Sequence, residues 1–321
     1  MSKLKLKVAF QMDDINNINL NSDTTFALIV EAYKRNFDLY YYNPKNLSVT
    51  NNKVLAKAHK IIKADYINSN HVKLEQEELL DLGSMNVIWL RQDPPFDMSY
   101  LTSTYFLEYL VNTNPNILVI NNPKEVRNYP EKIAAHYFSE FMPQTLITKD
   151  KNLILSFLEK EKKLIIKPLY DAKGNGIFLL EQTHPNTEAL IDNFLTTYKE
   201  PVIVQQFLEK ISLGDKRVLI VDGEALGVFK RVPQNGITSN LAKGGLAETA
   251  NLTTKEQKIC QAVGSYLKQH DLFFAGIDLI DEHLTEINLT SPTGLMNYYQ
   301  FSGVNLAITI WDKLIQKIKL A

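Results

Sequence analysis

Three oxygen-bearing side chains near the carboxyl terminus have the spacing of a metal site. Asp278 lies in one apolar run, and Glu286 and Asn288 lie in the next. A hairpin with the loop Asp281–His283 would place Asp278 opposite Glu286. Asn288 would share a strand face with Glu286 because side chains alternate along a strand. Carboxylate and amide oxygens without histidine or cysteine favour Mg²⁺ over Zn²⁺, with Mn²⁺ as an alternative ion.

The alternative is an ordinary acidic hairpin with a solvated face. The neighbours Ile277, Leu279, Ile287 and Leu289 are apolar, which indicates a buried hairpin. Carboxylates in such surroundings are costly unless a cation neutralises them. We therefore predict the metal site.

A lysine followed by a glycine-bearing turn is a second candidate. Lys167 closes an apolar run, and Pro168–Gly176 follows it with glycines at 174 and 176. Backbone N–H groups in such a turn, together with the lysine ammonium, suit a phosphate. The segment lacks the Gly-Lys-Ser/Thr of the usual phosphate loop, so a plain hairpin turn with two glycines is the alternative.

Two arginines are predicted at one end of another hairpin. Asp222-Gly223 favours a tight turn, which would bring Arg217 near Val228. Arg231 ends the second strand, so both guanidinium groups are predicted at the same end of the hairpin, where they could bind a carboxylate or a phosphate. A solvated basic strand edge explains the pattern equally well.

Polar groups at the end of the run Val202–Leu208 are compatible with an adenine edge. They comprise the amides of Gln205 and Gln206, followed by Phe207 and Leu208. The six histidines show no metal-binding spacing, and no Ser/His/Asp arrangement is visible.

The elements that position these residues fall into three predicted domains, at 1–127, 128–206 and 207–321. In the first domain strands and helices alternate, which indicates an α/β fold with a doubly wound parallel sheet. The predicted strands are Leu4–Phe10, Leu39–Tyr42, Val87–Leu90 and Ile117–Ile120. The predicted helices lie around Phe26–Phe37 and at Tyr100–Val111, and Ser22 or Asp23 is placed to cap the first of them. In the last domain hairpins dominate, which indicates an antiparallel sheet.

Composition narrows the class of protein. The chain has 321 residues, 45% hydrophobic and 22% charged, with a net charge of −1, so it lacks the basic surplus of a nucleic-acid-binding protein. Its single cysteine, Cys260, permits no intramolecular disulfide and suits a reducing cytoplasm. No apolar run is long enough to cross a bilayer. We expect a cytoplasmic protein without nucleic-acid or membrane partners.

Taken together, these motifs resemble the ATP-grasp superfamily and, within it, the bacterial glutathione synthetases. The resemblance covers nearly the whole chain. It is carried by Val8–Asp13, Ile18–Phe26, Leu90–Asp97, Val126–Asn128, Glu131-Lys132, Ile165–Leu169, Gly214–Val218, Val221–Glu224, Gly276–Asp278, Leu284–Asn288 and Thr290–Thr293.

The resemblance implies ATP held between two antiparallel sheets, and ligation of γ-glutamylcysteine to glycine through an acyl phosphate. It also implies roles for individual residues. Lys132 and Lys167 would hold phosphates, and Gln205–Leu208 with Asp215 would hold the nucleotide. Arg217 and Arg231 would contact the reacting groups, and the substrates would be bound by Arg91, Asn19, Ser291 and Thr293. The Mg²⁺ would be held by Asp278, Glu286 and Asn288. The resemblance further implies a homo-oligomer, often a tetramer.

The chain departs from the family pattern in two loops. Asp171 and Lys173 stand where the family is richer in glycine, and Gly244-Gly245-Leu246 lacks the usual arginine. A second arginine is missing near Ile237–Asn240, and Lys243 could replace one lost charge. Two alternatives therefore stay open: a ligase with another amino-acid acceptor, and a non-catalytic nucleotide-binding relative.

Overall fold

The computed structural model describes residues 5–67, 70–171, 175–233 and 246–320. The strands are β1 (Lys7–Gln11), β2 (Asp38–Tyr42), β3 (Leu47–Thr50), β4 (Lys53–Ala64), β5 (Val72–Leu74), β6 (Glu78–Asp81), β7 (Val87–Leu90), β8 (Leu118–Ile120), β9 (Thr145–Thr148), β10 (Lys163–Pro168), β11 (Phe178–Glu181), β12 (Val202–Gln206), β13 (Asp215–Val221), β14 (Glu224–Val232), β15 (Leu246–Thr249), β16 (Phe274–Ile280) and β17 (His283–Asn288). The α-helices are α1 (Thr24–Lys34), α2 (Met98–Thr113), α3 (Pro123–Asn128), α4 (Glu131–Ala134), α5 (Lys151–Glu161), α6 (Thr187–Thr197), α7 (Thr254–Gln269), α8 (Leu295–Ser302) and α9 (Leu306–Leu320).

The amino-terminal sheet contains the predicted parallel strands in the order β2-β1-β7-β8. Helix α1 begins where the Asp23 carboxylate accepts a hydrogen bond from the N–H of Phe26 at 2.6 Å, so Asp23 rather than Ser22 is the cap. The α/β prediction is confirmed, and the carboxyl ends of β1 and β7 meet at one edge of the sheet.

The sheet is mixed rather than purely parallel. Strand β4 pairs antiparallel with β2, β3, β5 and β6 and extends the sheet by four strands that the sequence did not reveal. The reason is that β4 alternates buried residues such as Val54 and Ala56 with exposed ones such as Lys57, and so shows no apolar run.

The central region is a separate antiparallel sheet in the order β11-β10-β12-β9. Helices α5 and α6 cover it, and its core is its own, formed by residues such as Ile154, Leu158, Ile191 and Phe194. This sheet carries Lys167 on β10 and Gln205 on β12, which are neighbouring strands.

The carboxyl-terminal sheet is antiparallel, in the order β15-β14-β13-β16-β17. It shares its hydrophobic core with the amino-terminal region: the indole N–H of Trp311 on α9 donates to the carbonyl of Leu28 at 2.9 Å. Within the described ranges, no helix is long and apolar enough to span a membrane.

The first predicted hairpin is correct at its turn and one residue off beyond it. Asp222 and Gly223 both have positive φ, at 49° and 83°, and Val221 faces Glu224. A bulge next to Leu219 then moves Arg217 opposite Phe229 instead of Val228.

In the second hairpin the predicted three-residue loop is wrong. The turn is Asp281-Glu282, with φ of 48° and 61°, so that Ile280 faces His283. A bulge beside Asp278 compensates for the shift and leaves Asp278 opposite Glu286, as predicted.

Candidate active site

Asp278 is the centre of a buried charge cluster on the carboxyl-terminal sheet. Arg217, directly opposite on β13, donates to both carboxylate oxygens of Asp278, from Nε at 2.5 Å and from a terminal nitrogen at 2.9 Å. Arg231 approaches the same carboxylate at 3.0 Å. Burial raises the pKa of Asp278, but the charges of Arg217 and Arg231 outweigh it and hold the pKa well below its usual range. Asp278 is therefore ionised.

Arg231 is fixed by a second carboxylate. Its guanidinium donates to both oxygens of Asp215, with the Nε contact at 3.0 Å. Burial lowers the pKa of Arg231, but Asp278 and Asp215 together raise it above its ordinary value. The two arginines, which the sequence predicted at the same end of the hairpin, thus both contact the carboxylate of Asp278.

A glycine makes room for this arrangement. A Cβ on Gly276 would lie 3.1 Å from Cδ of Arg217, tighter than most real contacts. The absence of a side chain lets Arg217 lie flat across β16 and reach Asp278, which is on the same strand face two residues along.

The predicted metal ligands lie together. The amide of Asn288 donates to Asp278 at 3.3 Å and to the carbonyl of Gly276 at 3.2 Å. The half-buried Glu286 lies 3.5 Å from Nζ of Lys132. Arg217 and Arg231 already neutralise Asp278, so the burial of this carboxylate does not by itself require a metal ion.

The donor set still fits a hard divalent ion. It offers two carboxylates and one amide oxygen, without nitrogen or sulfur ligands. Among the residues that the structure describes, no three His, Cys, Asp or Glu side chains form a metal-holding group on their own. Such a partial set is the kind that magnesium completes with water and substrate phosphates.

Two lysines face this acidic hairpin from different elements. Lys132, on α4, donates to the carbonyl of Asp171 in the turn after β10. Lys167 is buried, and its Nζ lies 3.4 Å from the side-chain oxygen of Gln205. Burial lowers the pKa of Lys167; Glu286 opposes this shift and Lys132 adds to it. The structure therefore brings both predicted phosphate-binding lysines to Glu286.

The predicted adenine segment follows on the same sheet. The Gln205 amide donates to Thr145 at 2.8 Å, and the N–H of Gln206 donates to the carbonyl of Gln144 at 2.8 Å. The N–H of Phe207 bonds to the carbonyl of Lys163, and a short helical turn follows Leu208. Gln205 thus joins this segment to Lys167.

The predicted substrate residues form a bridge between the amino- and carboxyl-terminal regions. Buried Arg91 donates to Thr25 at 3.0 Å and to the carbonyl of Pro292 at 2.9 Å, and burial lowers its pKa to about 10. The Ser291 hydroxyl lies 3.4 Å from the carbonyl of Arg91, and the Thr293 carbonyl accepts from Arg217. Exposed Asn19 instead bonds within its own loop.

Two further residues, to which the sequence analysis assigned no role, hold the β16–β17 hairpin in place. One oxygen of Glu131 accepts three hydrogen bonds, from the N–H of Leu289 and from the N–H and hydroxyl of Thr290. The Asn121 amide bonds both main-chain groups of Phe274 and the carbonyl of Leu289. The adjacency of Glu131 to Lys132 was the available signal for the first; nothing local marked Asn121.

Residues 234–245, with Lys243 and the Gly244-Gly245 pair, lie outside the described residues, as does Lys173.

Solved structures with the same fold include ATP-grasp ligases. The structure of the ATP-grasp ligase PsnB with a minimal precursor matches with a TM-score of 0.67 at 14% identity, covering 98% of this chain and 99% of that one. The crystal structure of D-cycloserine synthetase DcsG matches with a TM-score of 0.66 at 13% identity, covering 97% and 99%. The fold is therefore that of the ATP-grasp class.

Matches to family models and to sequence relatives identify the family within the ATP-grasp class. The model of the prokaryotic glutathione synthetase N-terminal domain matches residues 6–127, and that of the ATP-grasp domain matches residues 131–303. The glutathione synthetase of Agrobacterium fabrum is 42% identical over 318 residues, covering 99% of this chain and 98% of the relative. That of Coxiella burnetii is 35% identical over 306 residues, covering 95% and 94%.

The chain belongs to the prokaryotic glutathione synthetase family. It is accordingly an ATP-dependent carboxylate–amine ligase. The resemblance inferred from the sequence is confirmed.

Proposed function

We propose that this chain joins γ-glutamylcysteine to glycine with ATP and Mg²⁺, giving glutathione, ADP and phosphate. The family supports the reaction. The observation that carries the assignment to this site is the pair of guanidinium groups on Asp278, which faces Glu286 and two lysines. Such an arrangement suits a reaction in which negative charge gathers and moves between oxygens.

In the first step the cysteinyl carboxylate of the dipeptide attacks the γ-phosphorus of ATP. An oxygen–phosphorus bond forms, the bond to the β-phosphate oxygen breaks, and ADP leaves. Lys132 and Lys167 hold the phosphates, with Gln205–Leu208 and Asp215 at the nucleotide. Arg217 and Arg231 stabilise the charge on the transferring group, because both are fixed by carboxylates before the reaction and need little reorganisation.

In the second step the glycine amine attacks the acyl carbon. The carbon–nitrogen bond forms, phosphate leaves, and the amine loses its protons to solvent. Phosphate is a far better leaving group than the oxide of a free carboxylate, so the remaining task is to hold the reactants in line. Arg91, Asn19, Ser291 and Thr293 receive the substrates.

Asp278, Glu286 and Asn288 would hold Mg²⁺, or Mn²⁺ in its place, together with phosphate oxygens. The bound ion supplies neutralisation of phosphate charge. Asp278 is shared between this role and the two arginines, whereas Glu286 is the more accessible oxygen donor.

The other expectations stand as proposals beside this one. We propose domain boundaries near residues 127 and 206, a cytoplasmic location, a homo-oligomeric state that the family resemblance makes a tetramer, and no nucleic-acid or membrane partner. The separate core of the central sheet supports the second boundary.

A coupled assay tests the reaction. ADP release is expected only when γ-glutamylcysteine, glycine and Mg²⁺ are all present. Equal or faster release with alanine or serine in place of glycine would favour a different acceptor. ATP binding without ADP release under any acceptor would overturn the ligase assignment.

A further inference from the structure

A stacked pair of aromatic rings joins the amino-terminal region to the turn that follows β10. Phe96 lies in the loop between β7 and α2, and Tyr170 lies three residues after Lys167. Their ring centroids are 6.2 Å apart, and the ring planes differ by 20°. Aromatic pairs with centroids about 4.5–7 Å apart attract each other beyond the area that they bury. The stack is therefore a specific contact between the two regions.

Phe96 is held firmly on the amino-terminal side of this contact. The carboxylate of Asp97 caps α2 by accepting a hydrogen bond from the N–H of Tyr100 at 2.9 Å, and the Phe96 ring packs on the Tyr100 ring at 5.1 Å between centroids. Tyr100 is itself fully buried in the core. Tyr170 is 37% exposed, so it rests against a surface that the fold has already built.

Polar contacts hold the other side of the turn. Nζ of Lys132 donates to the main-chain carbonyl of Asp171, and the Tyr198 hydroxyl donates to the Asp171 carboxylate at 3.4 Å. Asp171 stands where the family pattern is richer in glycine, and a glycine would lack the contact with Tyr198. Because Asp171 adjoins Tyr170, the turn is fixed between Phe96 on one side and Lys132 on the other.

A small cavity lies beside the stack, at the edge of the proposed reaction site. Phe96 and Tyr170 line it together with Lys132 and Thr290, and its volume is about 20 Å³. A water molecule needs about 10–15 Å³ of such volume, so the space holds about one water. Lys132 belongs to the proposed phosphate site, and Thr290 precedes the substrate residue Ser291. Loss of either ring would widen this cavity and admit more water beside the reacting groups.

We propose that the stack of Phe96 and Tyr170 keeps water away from the acyl phosphate. The inference rests on the proposed function. The intermediate passes its acyl group either to the glycine amine or to water. With water, a carbon–oxygen bond forms, the bond to phosphate breaks, the proton goes to solvent, and the dipeptide is regenerated while ATP is lost. A closed site suppresses such side reactions. Tyr170 is thus a positioning residue that acts through the turn that its ring holds.

The variant Tyr170→Ala removes the ring, and the ratio of ADP to glutathione measures the loss to water. The wild-type protein should release about one ADP for each glutathione formed. In Tyr170→Ala the fraction of ADP that is not matched by glutathione should rise about two- to tenfold, the factor by which an aromatic stack favours the closed arrangement. This excess should fall as the glycine concentration rises, because glycine and water compete for one intermediate. Tyr170→Phe keeps the ring and should restore the wild-type ratio.

Phe96→Leu tests the other ring. It should raise the unmatched fraction by a similar factor, and the double variant with Tyr170→Ala should add little, since both changes remove the same contact. Phe178→Leu is the matched control. Phe178 lies on β11 of the same central sheet, is 45% exposed, and packs edge-on against Phe194. This variant should keep the wild-type ratio.

The outcomes separate the stack from the reaction itself. A wild-type ratio in Tyr170→Ala or in Phe96→Leu would overturn the proposal, and so would an excess of ADP in Tyr170→Phe equal to that in Tyr170→Ala. Failure of the wild-type protein to form glutathione would count against the proposed function. Normal glutathione formation with an unaltered ratio in the variants would count against the stack alone.

Discussion

Two isosteric substitutions on one hairpin should separate the buried charge cluster from the metal ligand. Asp278→Asn removes one charge from a fully buried carboxylate that two guanidinium groups share. Loss of one partner from a buried ion pair costs about 3–5 kcal/mol, because the remaining charge stays buried without compensation. Arg231 keeps Asp215, so the lower part of this range is expected.

Glu286→Gln changes a more exposed group. Its ion pair with Lys132, at 3.5 Å, is partly solvated, and such pairs contribute about 0–1 kcal/mol. The free energy of unfolding should therefore change little, while the Mg²⁺ requirement rises and turnover is lost. Asp281→Asn is the control, since Asp281 lies in the turn of the same hairpin, pairs with Lys210 at the surface, and has a positive φ that asparagine tolerates.

Urea unfolding and ADP release over a range of Mg²⁺ concentrations measure both effects. Both site variants should lose turnover, only Asp278→Asn should lose several kcal/mol of stability, and Asp281→Asn should resemble the wild type. Wild-type turnover and Mg²⁺ dependence in Glu286→Gln would refute the metal assignment. Unchanged stability in Asp278→Asn would refute the buried cluster.

Three further substitutions test single contacts. Burial lowers the pKa of Lys167 below the ordinary lysine value of 10.5. As Lys167 loses its charge at alkaline pH, the KM for ATP should therefore rise with pH. The variant Lys167→Arg stays charged and should flatten that rise in initial-rate measurements. Asn121→Ala leaves the main-chain groups of Phe274 unpaired and should lower the free energy of unfolding by about 2–4 kcal/mol in urea titrations. Gly264→Ala should lower the thermal midpoint, although alanine favours helices, because its Cβ would lie 2.1 Å from the carbonyl oxygen of Gly223.

Local patterns predicted the elements that carry their own signal. The apolar run ending in two glutamines gave β12 at Val202–Gln206, and the Asp222-Gly223 pair gave the first turn. The cross-strand meeting of Asp278 and Glu286 was also predicted, although two errors cancelled: the turn is one residue shorter than expected, and a bulge restores the pairing. Register follows from bulges, which apolar periodicity does not reveal.

Contacts between distant segments could not be read from the chain. Asn121 meets Phe274 across 153 positions, and Glu131 meets Thr290 across 159. Their side chains bind main-chain groups, which every residue has, so the residue type of the partner does not indicate the contact. The two arginines on Asp278 also depend on the packing of β13 between β14 and β16.

Transfer of isotope from the donor to phosphate tests the proposed reaction most directly. The cysteinyl carboxylate of γ-glutamylcysteine is labelled with ¹⁸O, and the inorganic phosphate is analysed by mass spectrometry after turnover with ATP, glycine and Mg²⁺. An acyl phosphate formed at this site predicts one ¹⁸O atom in each phosphate released. Formation of glutathione with unlabelled phosphate would contradict it.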